Sequence, residues 1–295
     1  MTNRTKGFAL AAVSAASYGV NPLAVIMYND GFSVDSVLFY RYALAAIFTA
    51  VLMVAQHESF RLTLKQFALL LALGFIFSFS SIALFTSYQY ISVSIASTLL
   101  FCYPALVTIA MITFFGEKPN IITIISLVLV LLGVVLLNSM SSNSVGNTIG
   151  IAIVLLAALA YTIYIISIQK TSLCNMSAVK VSFYSILFGL ILYVIRLHGC
   201  TLLQPIHTTP SVICAIALAL FPTLISLTTM AKAIKYIGST HTSILGALEP
   251  ITATMIGIFA FGERLKITET MGMITLLSAV TLIVVAPKLY RRKNK

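Results

Sequence analysis

The sequence has little charge, no tryptophan and few cysteines, and the shortage of charge is the most informative of these. Of the 295 residues only 8% are charged, whereas 60% are hydrophobic, and the mean hydropathy is +1.05. A soluble globular protein carries about 25% charged residues. This balance excludes a secreted enzyme, a cytosolic two-domain fold and a disordered chain. The chain is predicted to be a polytopic membrane protein.

The four cysteines and the positive net charge point to no further ligand. The cysteines show neither the spacing of metal ligands nor the density of a disulfide scaffold, so we expect no metal site. The formal net charge of +11 would suggest nucleic acid for a soluble protein. No basic patch alternates with aromatic residues here, and membrane proteins collect Lys and Arg in cytoplasmic loops. We therefore expect no nucleic-acid partner.

Apolar runs long enough to cross a bilayer recur along the chain, separated by polar breaks. The period-two alternation of a membrane barrel is absent, so the runs are predicted to be helices. The fold class is therefore an all-α membrane protein with ten transmembrane helices. They are predicted at residues 7–28, 36–55, 67–88, 93–115, 120–138, 148–169, 178–197, 211–231, 240–262 and 268–287.

The basic residues indicate the orientation in the membrane. With the N-terminus inside, most of the 18 Lys and Arg residues fall in cytoplasmic segments. Arg196, Arg264 and Lys266 fall on the other side, and Arg41 lies within a span. This asymmetry predicts a multi-pass membrane protein with both termini cytoplasmic. A monomer and a homodimer both stay open.

An internal repeat is the second strong signal: residues 90–121 align without a gap to residues 236–267. The matched pairs that are not apolar include Pro104 with Pro250, Gly116 with Gly262 and Glu117 with Glu263. Chance rarely aligns such residues together, so a tandem duplication is predicted. The two units are residues 1–138 and 148–287, followed by a basic tail at 288–295.

Each unit holds five predicted spans, which is an odd number. The second unit must then lie inverted in the membrane relative to the first. Inverted repeats are frequent in secondary transporters, where one architecture opens alternately to either side.

A proline at mid-span, followed by Gly-Glu-Lys or Gly-Glu-Arg at the span end, resembles the drug/metabolite transporter superfamily of the EamA-like type. The resemblance covers essentially the whole chain. It implies a carrier of the bacterial cytoplasmic (inner) membrane with a central cavity lined by spans 1, 3, 4, 6, 8 and 9, and with spans 5 and 10 at the periphery. It also implies a small-molecule substrate, and superfamily substrates include amino acids, nucleotide sugars and purines.

Glu249 is the main candidate for the chemistry, and it departs from the first unit, which has Tyr103 at the equivalent position. The predicted span places this carboxylate at mid-depth, where it costs about 2.5–3.5 kcal/mol on insertion scales. Pro250 beside it lacks an N–H and frees carbonyl groups, as Pro104 does beside Tyr103. A substrate or proton site is one interpretation, and a carboxylate bonded to a neighbouring helix for packing is the other.

Other polar and aromatic residues within the spans are weaker candidates. Arg41 would be a counter-ion for an anionic group, or would extend to the interface or form a structural ion pair. The aromatic and amide side chains would line the cavity or pack within the bundle. Lys232 and His241, which flank the loop after span eight, would form a gate or lie at the membrane interface. These candidates are Tyr18 and Asn21 beside the helix-breaking Pro22, Tyr161, Tyr164, Lys232 and His241.

The predicted function is a secondary active transporter that exports amino acids or related small metabolites by alternating access. No nucleotide-binding loop or hydrolase motif occurs, so no enzyme activity and no cofactor is expected. If transport is coupled to protons, Glu249 is the residue expected to bind the proton. The alternatives are a uniporter or exchanger for nucleotide-linked metabolites, which would need several basic residues in the cavity, and an integral-membrane enzyme.

Overall fold

A computed structural model of the chain describes residues 2–91, 96, 99–138, 148–261 and 267–293. These residues form helices and contain no strand, which confirms the all-α fold class for the described part. The twelve α-helices are α1 (Asn3–Tyr18), α2 (Ala24–Asn29), α3 (Val34–Ala55), α4 (Leu64–Ser87), α5 (Tyr103–Phe115), α6 (Ile121–Asn138), α7 (Thr148–Lys170), α8 (Ala178–Arg196), α9 (Thr209–Ala219), α10 (Ser226–Leu245), α11 (Leu248–Phe261) and α12 (Ile267–Lys293).

Six helical stretches of the described residues are long and apolar enough to cross a membrane, and shorter apolar helices follow α4 and α10. The six stretches are Asn3–Asn29, Val34–Ala55, Leu64–Ser87, Thr148–Lys170, Ala178–Arg196 and Thr209–Leu245. The predicted boundary between the two units, at 139–147, lies outside the described residues, as do Arg264, Lys266 and residues 294–295 of the predicted tail. The rest of that tail is helical, because α12 continues to Lys293.

Several helices begin at side chains that satisfy their first backbone N–H groups. The Ser33 hydroxyl accepts a hydrogen bond from the Ser36 N–H at the start of α3. At the start of α4, Thr63 and Gln66 form a reciprocal capping box. Pro104 stands in the first turn of α5, where the missing N–H leaves no helical hydrogen bond unmade.

Spans one and eight each contain an irregular turn. A 3₁₀ turn at Asn21–Leu23 separates α1 from α2, and a π-helical turn at Leu220–Ile225 separates α9 from α10. Pro222 in the π turn cannot donate to the Leu218 carbonyl, and the Thr223 hydroxyl donates to that carbonyl instead, at 2.9 Å. The second break is therefore held by a specific side-chain hydrogen bond.

The chain reverses direction at Gly238, which lies within the loop predicted between spans eight and nine. Gly238 has φ 80° and ψ 166°, a conformation that only glycine adopts readily, and it lies inside the continuous helical stretch α10. Before it, α10 is antiparallel to α1, since Ser226 bonds to Ser14 and Ile237 lies beside Gly7. The turn is shorter than the predicted loop, because a single residue makes it.

After Gly238 the chain runs parallel to α1. His241 lies beside Phe8, and the Glu249 backbone lies against Gly19. A short turn at residues 246–247 then separates the end of α10 from the start of α11. Span nine is thus broken in its middle, immediately before Glu249.

The first unit has the same break. Residues 101 and 102 form a turn, and α5 begins at Tyr103, the repeat equivalent of Glu249. Toward its end α5 approaches the start of span nine, where Thr240 bonds to Glu117. The helices α5 and α11 therefore both begin in the middle of the bundle and run in opposite directions.

Packing places α1 along α10 and α4 against α7 and α8, while α6 and α12 pack mainly on each other. One end of the bundle carries Lys6, Lys170, Lys180, Lys232 and Lys235, and we call it the lysine face. The opposite end, with Asp30, Asp35 and Gln204, is called the Asp30 face.

Candidate functional site

A small cavity lies in the middle of the bundle, among α1, α5, α7, both arms of α10 and α11. Its walls include Tyr18, Tyr103, Tyr161, Met230 and Glu249. The free volume is about 10 Å³, which is about the space that one water molecule requires. The structure therefore shows a closed state in which no organic substrate fits.

Three tyrosine rings stand together in the cavity wall. The Tyr161 ring is central: it stacks on Tyr18 at 5.9 Å and meets Tyr103 edge-on at 4.9 Å between ring centroids. Tyr164 stacks behind Tyr161 at 6.3 Å and packs on Phe77 at 4.8 Å. Three of the tyrosines therefore present their surfaces to the cavity, and Tyr164 supports them from behind.

The Glu249 carboxylate points to the cavity without a partner. Glu249 is partly buried, in the first turn of α11, and its backbone N–H donates to the Gly246 carbonyl at 2.8 Å. Among the described residues, none donates a hydrogen bond to its carboxylate or forms an ion pair with it. This arrangement leaves an acidic group available to a cation or a proton, and it differs from the packing interpretation, which requires a bond to a neighbouring helix.

Arg41 is fully buried, so it does not extend to the interface. Its guanidinium donates to the Asn21 side-chain oxygen at 2.8 Å, to the Thr223 hydroxyl at 2.7 Å and to the Pro222 carbonyl at 3.4 Å. It thereby joins the 3₁₀ break after α1 to the π turn before α10. Within the described residues it has no ion-pair partner, so the structural ion pair is not observed.

Arg41 nevertheless acts on the cavity through Tyr18. The guanidinium carbon lies 5.8 Å from the centroid of the Tyr18 ring, on which a cation is attracted to the π electrons. The Tyr18 ring forms part of the cavity wall on its other side. Arg41 also interacts electrostatically with Glu249. The buried cation thus stands one side chain away from the carboxylate.

The remaining predicted residues lie outside the cavity wall. Asn21 holds Arg41, and its side-chain nitrogen is buried with no hydrogen-bond partner. The two residues predicted to flank the loop lie on the two arms of α10, on either side of the Gly238 turn: His241 packs edge-on against Phe8, and Lys232 lies on the lysine face. Pro22 and Pro250 lie at the two breaks described above.

Polar contacts join the helices at both ends of the bundle. At the lysine face the Gln169 side chain accepts from the Ser239 N–H at 2.6 Å, and Glu117 accepts from Thr240 at 3.0 Å. These two bonds hold the second arm of α10 against residues from the first unit and from α7.

At the Asp30 face, Asp30 accepts hydrogen bonds from the hydroxyls of Ser211 and Thr208, which lower the pKa of its carboxyl group. The side chain of Gln204 bonds to the Ser33 N–H and to the Gly31 carbonyl. The loops before α3 and α9 are thereby joined across this face.

Sequence reasoning missed the small polar residues that complete the cavity. Thr242, Ser243 and Gly246 line it on the second arm of α10, and the Tyr103 hydroxyl donates to the Ser243 carbonyl at 3.4 Å. The signal for them was the Ser, Thr and Gly residues in the seven positions before Glu249. The part of the cavity wall that the structure describes comes from spans 1, 4, 6, 8 and 9, and α4 makes no contribution to it.

Comparisons with known proteins agree with this architecture. The sequence profile described as the EamA-like transporter family matches the chain twice, at residues 5–139 and 148–285. The chain is 28% identical over 210 residues to an uncharacterized transporter of Archaeoglobus fulgidus, covering 70% of this chain and 72% of that protein. It is 25% identical over 228 residues to an uncharacterized transporter of Bacillus subtilis, covering 76% and 70%. A crystal structure with 13% sequence identity superposes with a TM-score of 0.79 and covers 96% of this chain and 98% of its own, which shows a common fold.

Proposed function

The chain belongs to the EamA-like transporter family and is a multi-pass membrane transporter, and we propose that it is a secondary active transporter that exports amino acids or related amine-bearing metabolites by alternating access. The observation that carries the proposal is the small cavity at which two spans are broken, where a carboxylate that has no partner among the described residues lies beside three tyrosine rings. Broken helices that meet at mid-membrane are typical of substrate sites in secondary transporters.

Alternating access requires two units that can rock against each other. Helices α5 and α11 begin at the cavity and run in opposite directions, which supports two inverted repeats around one site. The closing contacts at the lysine face join Glu117 of the first unit to Thr240 of the second. Opening that face would break this bond and the one from Ser239 to Gln169, while the Asp30 face stays closed.

The substrate class follows from the charges of the cavity. Its described wall holds one carboxylate, Glu249, and no Lys or Arg. Arg41 lies behind the wall, and its guanidinium donates hydrogen bonds to Asn21 and Thr223. An ammonium group fits between a carboxylate and the faces of tyrosine rings. The N-terminus of α5, which carries partial positive charge, lies at the same cavity and suits the carboxylate of an amino acid. A nucleotide-linked substrate would instead need several cations for its phosphates.

Energy coupling follows from the same carboxylate. A proton and a substrate ammonium compete for Glu249, so that a proton entering from outside displaces the substrate in an exporter. We place the protein in the bacterial cytoplasmic membrane with both termini and the lysine face inside, because Lys and Arg accumulate at that end.

The test is a ligand panel on the purified protein followed by transport. Amino acids or related amines are expected to raise the thermal unfolding midpoint, whereas nucleotide sugars and nucleosides are not. The compounds that stabilise are then measured in proteoliposomes with an imposed pH gradient. Stabilisation by nucleotide sugars alone would contradict the proposed substrate class, and gradient-independent equilibration of the amine would contradict coupling.

A further inference from the structure

A second and larger cleft lies on the lysine face, apart from the closed cavity. Its volume is about 530 Å³ and it is open to the surface. The walls are formed by α1, α10 and the start of α8, and they include Lys6, Leu10, Lys232, Lys235 and Tyr236. This volume is that of a ligand site, although no step of the proposed transport cycle uses it.

The cleft carries an excess of positive charge. The ammonium groups of Lys6, Lys232 and Lys235 surround it, and the ion pair found among the described residues, Arg196 with Asp35, lies at the other end of the bundle. Glu58 interacts electrostatically with Lys235 without forming an ion pair. The cleft therefore has three ammonium groups in its wall, and Glu58 forms no ion pair with them. This excess of positive charge makes the cleft complementary to an anion.

The floor of the cleft is apolar and continues into the lipid-facing surface. Ala9 is exposed in the cleft, and Val13, one helical turn further along α1, is 48% exposed. The Tyr236 ring, 45% exposed, forms the wall on the α10 side. A tyrosine at this level is typical of the membrane interface, where its ring lies in the headgroup region. A ligand with an anionic head and a hydrocarbon tail matches this arrangement better than a soluble anion does.

We propose that the cleft between α1 and α10 binds the headgroup of an anionic phospholipid of the cytoplasmic leaflet. The phosphate lies among the three ammonium groups, and an acyl chain follows the Ala9 and Val13 side of α1. Basic clefts between transmembrane helices on the cytoplasmic side commonly hold anionic lipid headgroups. The proposal rests on the proposed orientation for the leaflet, whereas binding itself is measured without any transport.

The first arm compares lipids with soluble anions for the wild-type protein. The protein is placed in nanodiscs of phosphatidylcholine with and without phosphatidylglycerol, and bound lipid is counted by native mass spectrometry. Phosphatidylglycerol is expected to be retained in preference to phosphatidylcholine, with a higher thermal midpoint that falls as salt is added. Inorganic phosphate and glycerol 3-phosphate are expected to give no such shift. Equal retention of both lipids, or a shift with the soluble anions alone, would overturn the proposal.

The second arm removes the charges. A triple variant with Lys6→Gln, Lys232→Gln and Lys235→Gln is expected to bind phosphatidylglycerol about tenfold more weakly or worse, because each lysine near the surface contributes to the attraction. The matched control also removes three charges, with Arg61→Gln, Lys65→Gln and Lys118→Gln, which are exposed and lie outside the cleft, and it is expected to bind as the wild type does. If the glutamine variant does not fold, the corresponding arginine variant must keep the preference. An unchanged preference in a folded glutamine variant, or equal losses in both, would refute the assignment.

Discussion

Tyr103 and Glu249 occupy equivalent positions in two broken spans and line one cavity from opposite repeats. Each is at the first turn of its half-helix, next to a proline. The duplication therefore supplies the same backbone break twice, while the side chains at the breaks differ. One unit contributes a phenol and the other an acid, so that a symmetric scaffold has an asymmetric site.

The first prediction concerns coupling through Glu249. Glu249→Gln is expected to leave the protein folded and inserted and to abolish the dependence of transport on the pH gradient, because the amide neither binds nor releases a proton in this range. Transport is measured in proteoliposomes with and without the gradient. The control is Glu58→Gln, an acid in the loop before α4, which should keep wild-type dependence. A gradient response that persists in Glu249→Gln would exclude the proton role.

The second prediction concerns the buried guanidinium of Arg41. The three nitrogens of Arg41 each donate to a different acceptor, in Thr223, Asn21 and Pro222. A lysine carries all its donors on one nitrogen and cannot span these acceptors, so Arg41→Lys separates the 3₁₀ turn from the π turn. Hydrogen bonds to charged groups contribute about 1.5–3 kcal/mol each, so the thermal midpoint is expected to fall by roughly 5 °C or more. The change is measured by thermal unfolding in detergent.

Arg196→Lys is the matched control for that measurement. Arg196 pairs with Asp35 at 2.7 Å, and its side chain is 46% exposed. Exposed pairs contribute up to about 1 kcal/mol, so a small shift is expected. Equal shifts in the two variants would show that Arg41 does not hold the breaks together.

How far the sequence predicts this molecule depends on whether a feature is local. The spans, the repeat and the position of Glu249 follow from hydropathy and from a few polar residues, so they are predictable. The hydrogen-bond partners of Arg41 are not predictable. Thr223 lies far from Arg41 along the chain, and the π turn that positions it is not visible in the apolar run around Pro222. The loop between spans eight and nine is predicted at the right place, but its length is not, because the residues that flank Gly238 have helical composition and the positive φ of one glycine is enough to reverse the chain.

The third prediction concerns acid sensitivity at the Asp30 face. Hydrogen bonds from Ser211 and Thr208 lower the pKa of Asp30 in the folded protein, so this carboxylate stabilises the fold at pH values above the unfolded pKa of about 4. That stabilisation is lost as the pH falls through the lowered folded pKa. Asp30→Asn is therefore expected to lower the thermal midpoint at pH 7, and the difference from the wild type should narrow below about pH 4. A difference that is constant between pH 7 and pH 3 would contradict this account.

The fourth prediction concerns the close approach of Tyr103 to Gly246. A β-carbon at residue 246 would overlap the Tyr103 hydroxyl and lie 2.7 Å from the Ser243 carbonyl oxygen. Gly246→Ala is therefore expected to destabilise the closed state and to slow transport, because the phenol must leave its place against α10. Tyr103→Phe alone removes only the 3.4 Å bond to Ser243 and should have a small effect.

The double variant decides whether the two residues act together. With Tyr103→Phe in place, the alanine meets no hydroxyl, so part of the lost thermal midpoint and transport rate should return. The rescue is expected to be partial, since the contact with the Ser243 carbonyl remains. Strictly additive effects in this double-mutant cycle would mean that the contact between Tyr103 and Gly246 does not stabilise the closed cavity.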